Sequence, residues 1–167
     1  MIPDWKDALA SSSLDGWFVN PAGVVSLDGA NLVMTYGDND AWFIQKTDAK
    51  DFTYVGKLTL VSGRMIGLVS RSSLDGTAGY EVNLYAPSRT LSIAKRTPYQ
   101  VLASTTLDVA YNTVYTVRVE FIGTNITASI DDLSISVTAT DTSYTQGYFG
   151  LHSYRSQARF SNLSMYW

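Results

Sequence analysis

The chain has 167 residues, of which 16 % are charged and 13 % aromatic, and its formal net charge is −3. This weak negative balance gives no electrostatic basis for binding nucleic acid or an anionic membrane. Without cysteine, the chain has neither disulfides nor thiol chemistry, and no apolar run approaches the ~20 residues that cross a bilayer. The length fits one domain, residues 1–167, with residues 1–15 as a lead-in segment.

Short segments with apolar and polar residues in alternation follow one another along the chain, separated by turn residues such as Asp28-Gly29. We predict strands at residues 17–19, 24–27, 32–35, 42–45, 51–60, 65–71, 79–85, 89–96, 101–105, 115–121, 126–130 and 133–137. Two closing strands follow, joined by a turn at residues 154–157. No helical periodicity interrupts the series, which predicts an all-β, two-sheet antiparallel β-sandwich.

Alternation also predicts a polar face. In the strand at residues 79–85 the even positions are apolar and face the core, so Glu81, Asn83 and Tyr85 line the opposite face. Arg96, in the next strand, lies beside this row. A carboxylate, an amide and a guanidinium can hydrogen-bond neighbouring hydroxyls of a sugar, and an aromatic ring covers its apolar face. The alternative interpretation is an ordinary ion pair between Glu81 and Arg96 across the hairpin.

Three further candidates lie at the ends of strands. Arg71 ends the strand at residues 65–71, and Tyr154 and Arg155 lie in the predicted closing turn. Arg71 has an alternative structural role, tying down the loop at residues 72–79. Tyr85 and Tyr154 have the alternative of being single exposed aromatic side chains on a β-surface.

The sequence carries no pattern typical of catalysis or of a metal centre. Acidic residues spaced two or four apart within one strand, as in hydrolases with this type of fold, are missing, and Asp131-Asp132 reads as a turn. Asp38 and Asp40 could ligate calcium, but a polar turn is favoured. His152 is the one histidine and has no partner at a ligand spacing. We therefore predict no catalytic residue, no metal ligand and no cofactor, with a structural calcium ion left open.

From residue 51 to residue 163 the order of motifs resembles the levan-binding carbohydrate-binding modules of family 66. The matching pieces are Asp51-Phe-Thr-Tyr54, Gly67-Leu-Val-Ser-Arg71-Ser72, Gly79-Tyr80, Tyr115-Thr-Val-Arg-Val-Glu120, Ile130-Asp-Asp132, Gly147-x-Phe-Gly-Leu151 and Phe160-x-Asn-Leu163. The resemblance covers about two-thirds of the chain, and several of its motifs are shared with concanavalin-like and laminin-G-like domains.

The resemblance implies a jelly-roll that recognises a sugar, terminal fructose of levan or another fructan, and performs no chemistry. It also implies a parent glycoside hydrolase that the module targets to its polysaccharide, and hence a secreted protein. The segment after Met1 lacks a signal-peptide pattern, so this interpretation takes the chain as a domain of a longer enzyme, with a cytosolic protein as the alternative. The alternatives are a laminin-G-like adhesion domain and a glycoside hydrolase. Convergence of Arg71, Glu81 and Tyr154 on one depression would favour sugar binding.

Overall fold

A computed structural model describes residues 4–7, 9 and 14–167, and the account below refers to these residues. They form twelve strands and one turn of 3-10 helix, Asp131–Leu133. The strands are β1 (Trp5–Asp7), β2 (Trp17–Asn20), β3 (Val25–Leu27), β4 (Leu32–Ala49), β5 (Phe52–Ser72), β6 (Gly79–Tyr85), β7 (Thr90–Arg96), β8 (Gln100–Thr106), β9 (Val114–Ile122), β10 (Asn125–Ile130), β11 (Ile135–Thr140) and β12 (Gly147–Tyr166). Over the described residues, no helix has the length and apolar character needed to cross a membrane.

Three long strands, β4, β5 and β12, run through both layers of an antiparallel sandwich. The back sheet has the order β11-β10-β9-β5-β12-β4-β3 and uses the first halves of β4 and β5 with the second half of β12. The front sheet has the order β8-β7-β6-β5-β12-β4-β2 and uses the other halves. The predicted all-β sandwich is confirmed.

The core lies between the two sheets because the apolar positions of both alternate inward. Leu58 and Val117 of the back sheet and Leu68 and Ile93 of the front sheet are all fully buried in one cluster. Each such side chain stabilises the fold by about 1.5–3 kcal/mol relative to an exposed one. This packing fixes which residues of the front sheet face away from the core.

The long strands cross between the layers at bulges. Residues 36–41, 61–64 and 154–157 continue as strand, so the predicted turn at residues 154–157 is wrong. Gly63 has φ +99° and Arg155 φ +48°, and the pairing of β12 shifts relative to β4 between Tyr154 and Ser156 and relative to β5 between Gln157 and Ala158. The left-handed backbone at these positions bends the strands without breaking their hydrogen-bond ladders.

The predicted lead-in, residues 1–15, lies partly outside the described residues. Its described part includes β1, which pairs antiparallel with the end of β12, Trp5 opposite Met165. The Trp5 ring packs edge-on against Phe149 at 4.9 Å between centroids. The described part of this segment therefore adds a strand beside the C-terminal end of β12.

Candidate functional site

The outer face of the front sheet carries a row of side chains that the strand register brings together. Met65 of β5 lies opposite Tyr85 of β6 on one side and Tyr154 of β12 on the other. Tyr154 in turn lies opposite Asp40 of β4. Side chains at paired positions share a face, so these four residues, far apart in the chain, form one line across the sheet.

The next row on this face is polar and buried. It comprises Asn83, Gly67, His152 and Trp42, paired in that order across four strands. Asn83 and His152 are both fully buried. The absence of a side chain at Gly67 leaves room for the Asn83 amide, because a Cβ at Gly67 would lie 2.2 Å from the Asn83 Oδ1. A larger residue at position 67 would push the amide out of the row.

Arg96 reaches across both rows and holds two carboxylates. Its Nη2 donates to Asp40 Oδ1 at 2.6 Å, and its Nε donates to Glu81 Oε1. Its Cζ lies 5.1 Å from the centroid of the Trp42 ring and 5.6 Å from that of the Tyr99 ring, and both distances are within the range of a cation–π interaction. Two salt bridges and two aromatic rings thus fix the guanidinium.

His152 is a second partner of the same carboxylates. Its Nε2 lies 2.8 Å from Asp40 Oδ1, and its Nδ1 lies 3.6 Å from Glu81 Oε2. Burial opposes ionisation of Asp40, but the hydrogen bond and charge of His152, followed by those of Arg96, lower its pKa below the usual value. Burial likewise opposes the charge of Arg96, yet Glu81 and Asp40 raise its pKa. The cluster therefore keeps Asp40 ionised and Arg96 cationic.

Above this cluster lies an open depression of about 350 Å³. The volume of this depression is near the lower end of the range of roughly 300–1,000 Å³ for small-molecule sites. The depression is lined by Asn39, Asp40, Met65, Tyr85, Arg96, Tyr99 and Tyr154. Fixed donors and acceptors at the floor and three tyrosine rings around it can hydrogen-bond and cover a small polyhydroxylated ring.

The structure brings most of the sequence-predicted residues to this place in different roles. Tyr85, Arg96 and Tyr154 line the depression. Glu81 and Asn83 lie on the expected face but are buried beneath it, where the Asn83 Nδ2 donates to Glu81 Oε2 at 3.1 Å. These two residues position Arg96 and are not at the surface.

Arg155 lies at the rim beside Tyr154, with its Cζ 5.3 Å from the centroid of the tyrosine ring. Its Nε donates to the carbonyl oxygen of Asp38 at 3.1 Å. It is therefore next to the depression without being one of the residues that line it.

Arg71 lies away from the depression and is 3 % exposed. Its Nε donates to the Lys50 carbonyl at 3.0 Å, its Nη1 to the Tyr144 carbonyl at 3.1 Å and its Nη2 to Asp51 Oδ1 at 3.1 Å. Its Cζ also lies 4.6 Å from the centroid of the Phe121 ring. The guanidinium ties neighbouring segments together at the end of the sandwich, so the expected position of Arg71 beside Glu81 and Tyr154 is corrected, and its contacts within the fold are structural.

Backbone geometry explains this correction. By alternation, Arg71 would follow Met65 and Val69 on the outer face of β5. Its φ is +46°, and the pairing of β5 with β12 shifts between Val69 and Ser72. A bulge of this kind reverses the direction of the next side chain, which alternation alone does not foresee.

We expect Arg71→Ala to destabilise the fold by about 3 kcal/mol, because the carbonyl oxygens of Lys50 and Tyr144 lose their donor and the Phe121 ring loses the guanidinium packed against it. Thermal unfolding should show a fall in Tm of roughly 10 °C. Arg159→Ala, which removes a partly exposed ion pair with Asp28, is the matched control and should leave the Tm nearly unchanged, because exposed ion pairs contribute little to stability. Loss of ligand binding by Arg71→Ala at unchanged stability would return Arg71 to the site.

Sequence reasoning missed Asp40, Tyr99 and His152 as members of this site. Asp40 was interpreted as part of a polar turn, but it lies inside β4. His152 gave no ligand spacing because its partners come from other strands. Tyr99 precedes β8 and gave no signal beyond being aromatic; it is 48 % exposed above Arg96. Strand register brings Asp40 and His152 together, and the turn before β8 places Tyr99 beside Arg96.

A second depression, of about 380 Å³, lies on the outer face of the back sheet and is lined by Val55, Thr116, Arg118, Asp131 and Asp132. None of the residues that line this second depression is aromatic.

Among the described side chains, no group of three or more histidines, cysteines and carboxylates is arranged to hold a metal ion.

The two-layer antiparallel fold is similar to the folds of a solved carbohydrate-binding module and of a galectin-like protein. The solved structure of carbohydrate-binding module CBM66 from Bacillus subtilis superimposes with a TM-score of 0.84 and 24 % identity, over 91 % of this chain and 96 % of that one. A Bacillus subtilis protein of unknown function with a galectin-like fold gives a TM-score of 0.79 at 13 % identity, over 98 % and 95 % of the two chains. The predicted resemblance to family 66 is confirmed at the level of fold.

Among curated proteins, the levanase of Bacillus subtilis strain 168 is 25 % identical over 166 residues. The alignment covers 96 % of this chain and 24 % of the levanase, so the chain spans about a quarter of that enzyme's length. No family model matches the chain.

Proposed function

We propose that this chain is a non-catalytic carbohydrate-binding module that takes a terminal sugar unit, fructose of levan or another fructan, into the depression around Arg96. We further propose that it belongs to a secreted glycoside hydrolase and holds that enzyme at its polysaccharide. The similarity to part of a levanase supports the choice of fructan and of an attached enzyme.

One observation carries the proposal. Arg96 lies at the base of a small depression with its guanidinium fixed by Glu81 and Asp40, and Tyr85, Tyr99 and Tyr154 surround it. Sugar rings present hydroxyls around an apolar C–H face, and this arrangement complements both. Because the donors are already oriented, little conformational entropy is lost when the sugar binds.

The electrostatics of the depression argue against hydrolysis. A glycosidase needs a carboxylic acid whose raised pKa keeps it protonated until it donates to the leaving oxygen. The pKa of Asp40 is instead lowered by His152 and Arg96, despite burial. Glu81 is 1 % exposed and held by Arg96, so it does not reach a substrate. Asp40 can therefore accept a hydrogen bond from a ligand, and both carboxylates orient Arg96.

The laminin-G-like alternative would use an exposed apolar patch or a calcium rim. Of the three residues whose convergence was expected from the sequence, Tyr154 lines the depression, Glu81 lies buried beneath it and Arg71 lies elsewhere. Arg96 takes the place expected of Arg71. This polar, aromatic depression favours a saccharide over a protein partner.

Affinity gel electrophoresis tests the proposal with levan, inulin, polygalacturonan and a β-glucan in separate gels. We expect levan or inulin to retard the protein and Tyr99→Ala to weaken binding about tenfold, because one face of the sugar loses its aromatic cover. Trp167→Ala, which removes an aromatic residue 65 % exposed outside the depression, is the control. No retardation by any glycan would overturn the function, and retardation by non-fructans alone would overturn the fructan specificity.

A further inference from the structure

Two arginines, Arg64 and Arg155, lie where β5 and β12 cross between the sheets; they are called the rim arginines below. The backbones at these positions are adjacent, because a Cβ on Gly63 would lie 2.1 Å from the Arg155 carbonyl oxygen. The Arg64 N–H donates to Ser156 Oγ at 2.9 Å, which fixes the two bulges together. The rim arginines are thus presented from a rigid part of the fold.

Each rim arginine contacts a tyrosine that lines the depression. Arg64 Nη2 donates to the Tyr85 hydroxyl at 2.8 Å, and its Cζ lies 5.8 Å from the centroid of that ring. The Arg155 Cζ lies 5.3 Å from the centroid of the Tyr154 ring. Since Tyr85 and Tyr154 both line the depression, the rim arginines continue its surface outward.

The two rim arginines differ from the other arginines of the chain in their ion pairing. Of the seven arginines in the chain, five form salt bridges: Arg71, Arg89, Arg96, Arg118 and Arg159. The rim arginines have no salt bridge to a carboxylate of the described side chains. Each guanidinium carries five N–H donors, and within the described chain each uses one in a hydrogen bond. Both therefore retain donors for a ligand beside the depression.

The local charge balance indicates what kind of ligand this is. Formal charges around the depression and its rim cancel: Arg64, Arg96 and Arg155 against Asp38, Asp40 and Glu81. The whole chain carries −3. An anionic saccharide therefore gains no net attraction, whereas the hydroxyls of a neutral sugar accept hydrogen bonds from the unused guanidinium donors.

We propose that the rim arginines form a second sugar subsite, which binds the neutral sugar unit linked to the one in the depression. This inference rests on the proposed function, because it requires a saccharide in the first position. It makes the protein sensitive to the length of its ligand: one unit contacts Arg96 and the tyrosines, and the next unit contacts Arg64 and Arg155.

Isothermal titration of the whole chain with fructose, a β-2,6-linked fructose disaccharide and the matching trisaccharide tests the subsite. The wild type should bind the disaccharide about tenfold more tightly than fructose, the gain of roughly one charge-assisted hydrogen bond. In the double variant Arg64→Ala/Arg155→Ala, this gain should fall below about twofold, while the affinity for fructose changes by less than about threefold. Arg118→Ala, a half-exposed arginine on the outer face of the back sheet, is the matched control and should retain the full gain.

Three outcomes would overturn the subsite. These are equal affinity of the wild type for fructose and disaccharide, a length gain that survives in the double variant, and a gain seen only with an acidic disaccharide such as digalacturonate. Thermal unfolding of the double variant verifies that it is folded, and the single variants replace it if it is not. Failure of the wild type to bind any of these saccharides would overturn the proposed function itself, so the two failures are distinguishable.

Discussion

Arg96→Ala is expected to abolish saccharide binding, with an affinity at least about 100-fold below that of the wild type. The substitution removes the guanidinium at the base of the depression, and two hydrogen bonds to a charged donor account for a loss of this size. It also leaves Glu81, 1 % exposed, without its cationic partner. Because a buried carboxylate is then uncompensated, we expect stability to fall by about 3 kcal/mol.

Arg96→Lys separates the two effects. A lysine keeps the positive charge near Glu81 and Asp40 but not the planar fork that contacts both of them. Urea denaturation should therefore show a smaller loss of stability than for Arg96→Ala, while titration with a fructose oligosaccharide should still show severely weakened binding. Arg118→Ala serves as the control for removing an arginine elsewhere. Binding by a folded Arg96→Lys or Arg96→Ala variant within threefold of the wild type would refute the assignment of Arg96.

Gly63→Ala is expected to cost about 3–5 kcal/mol of stability. Its φ of +99° is unfavourable for a side chain, and the added Cβ would lie 2.1 Å from the Arg155 carbonyl and 2.6 Å from the Ser156 Cα. Backbone atoms of a paired strand cannot move aside without breaking the crossing of β5 and β12, so steric strain adds to the conformational cost.

Gly29→Ala is the matched control for this effect. Gly29 has a similar φ of +87°, but a Cβ there would meet no atom within 4 Å. It should cost only the conformational term, about 1–2 kcal/mol. Chemical denaturation of both variants measures the difference. Equal losses at the two positions would show that the contact at the crossing is not tight, and would remove the rigid support inferred for the rim arginines.

Alternation of apolar and polar residues was sufficient to predict much of the fold and part of the site. In β6 it placed Glu81, Asn83 and Tyr85 on the correct face, because that strand is regular over its length. It could not show that Glu81 and Asn83 are covered, since burial of the outer face depends on Arg96 and on neighbouring strands.

Prediction failed where the backbone departs from regular strand geometry. Arg71 has a positive φ next to a register shift and points to the end of the sandwich, away from the face that alternation gives it. The bulge at Arg155 was predicted as a turn, because polar residues and a positive φ are common to bulges and turns. Asp40 and His152 lie 112 positions apart, and only the pairing of β4 with β12 brings them together.

A crystal structure of the protein with a bound β-2,6-linked fructose trisaccharide tests the central proposal most directly. We predict one sugar ring in the depression, with hydroxyls within hydrogen-bond distance of Arg96 and Asp40 and its faces against Tyr85, Tyr99 or Tyr154. The next ring should lie beside Arg64 and Arg155. A saccharide bound instead on the outer face of the back sheet, near Arg118 and Asp131, would contradict this assignment of the site.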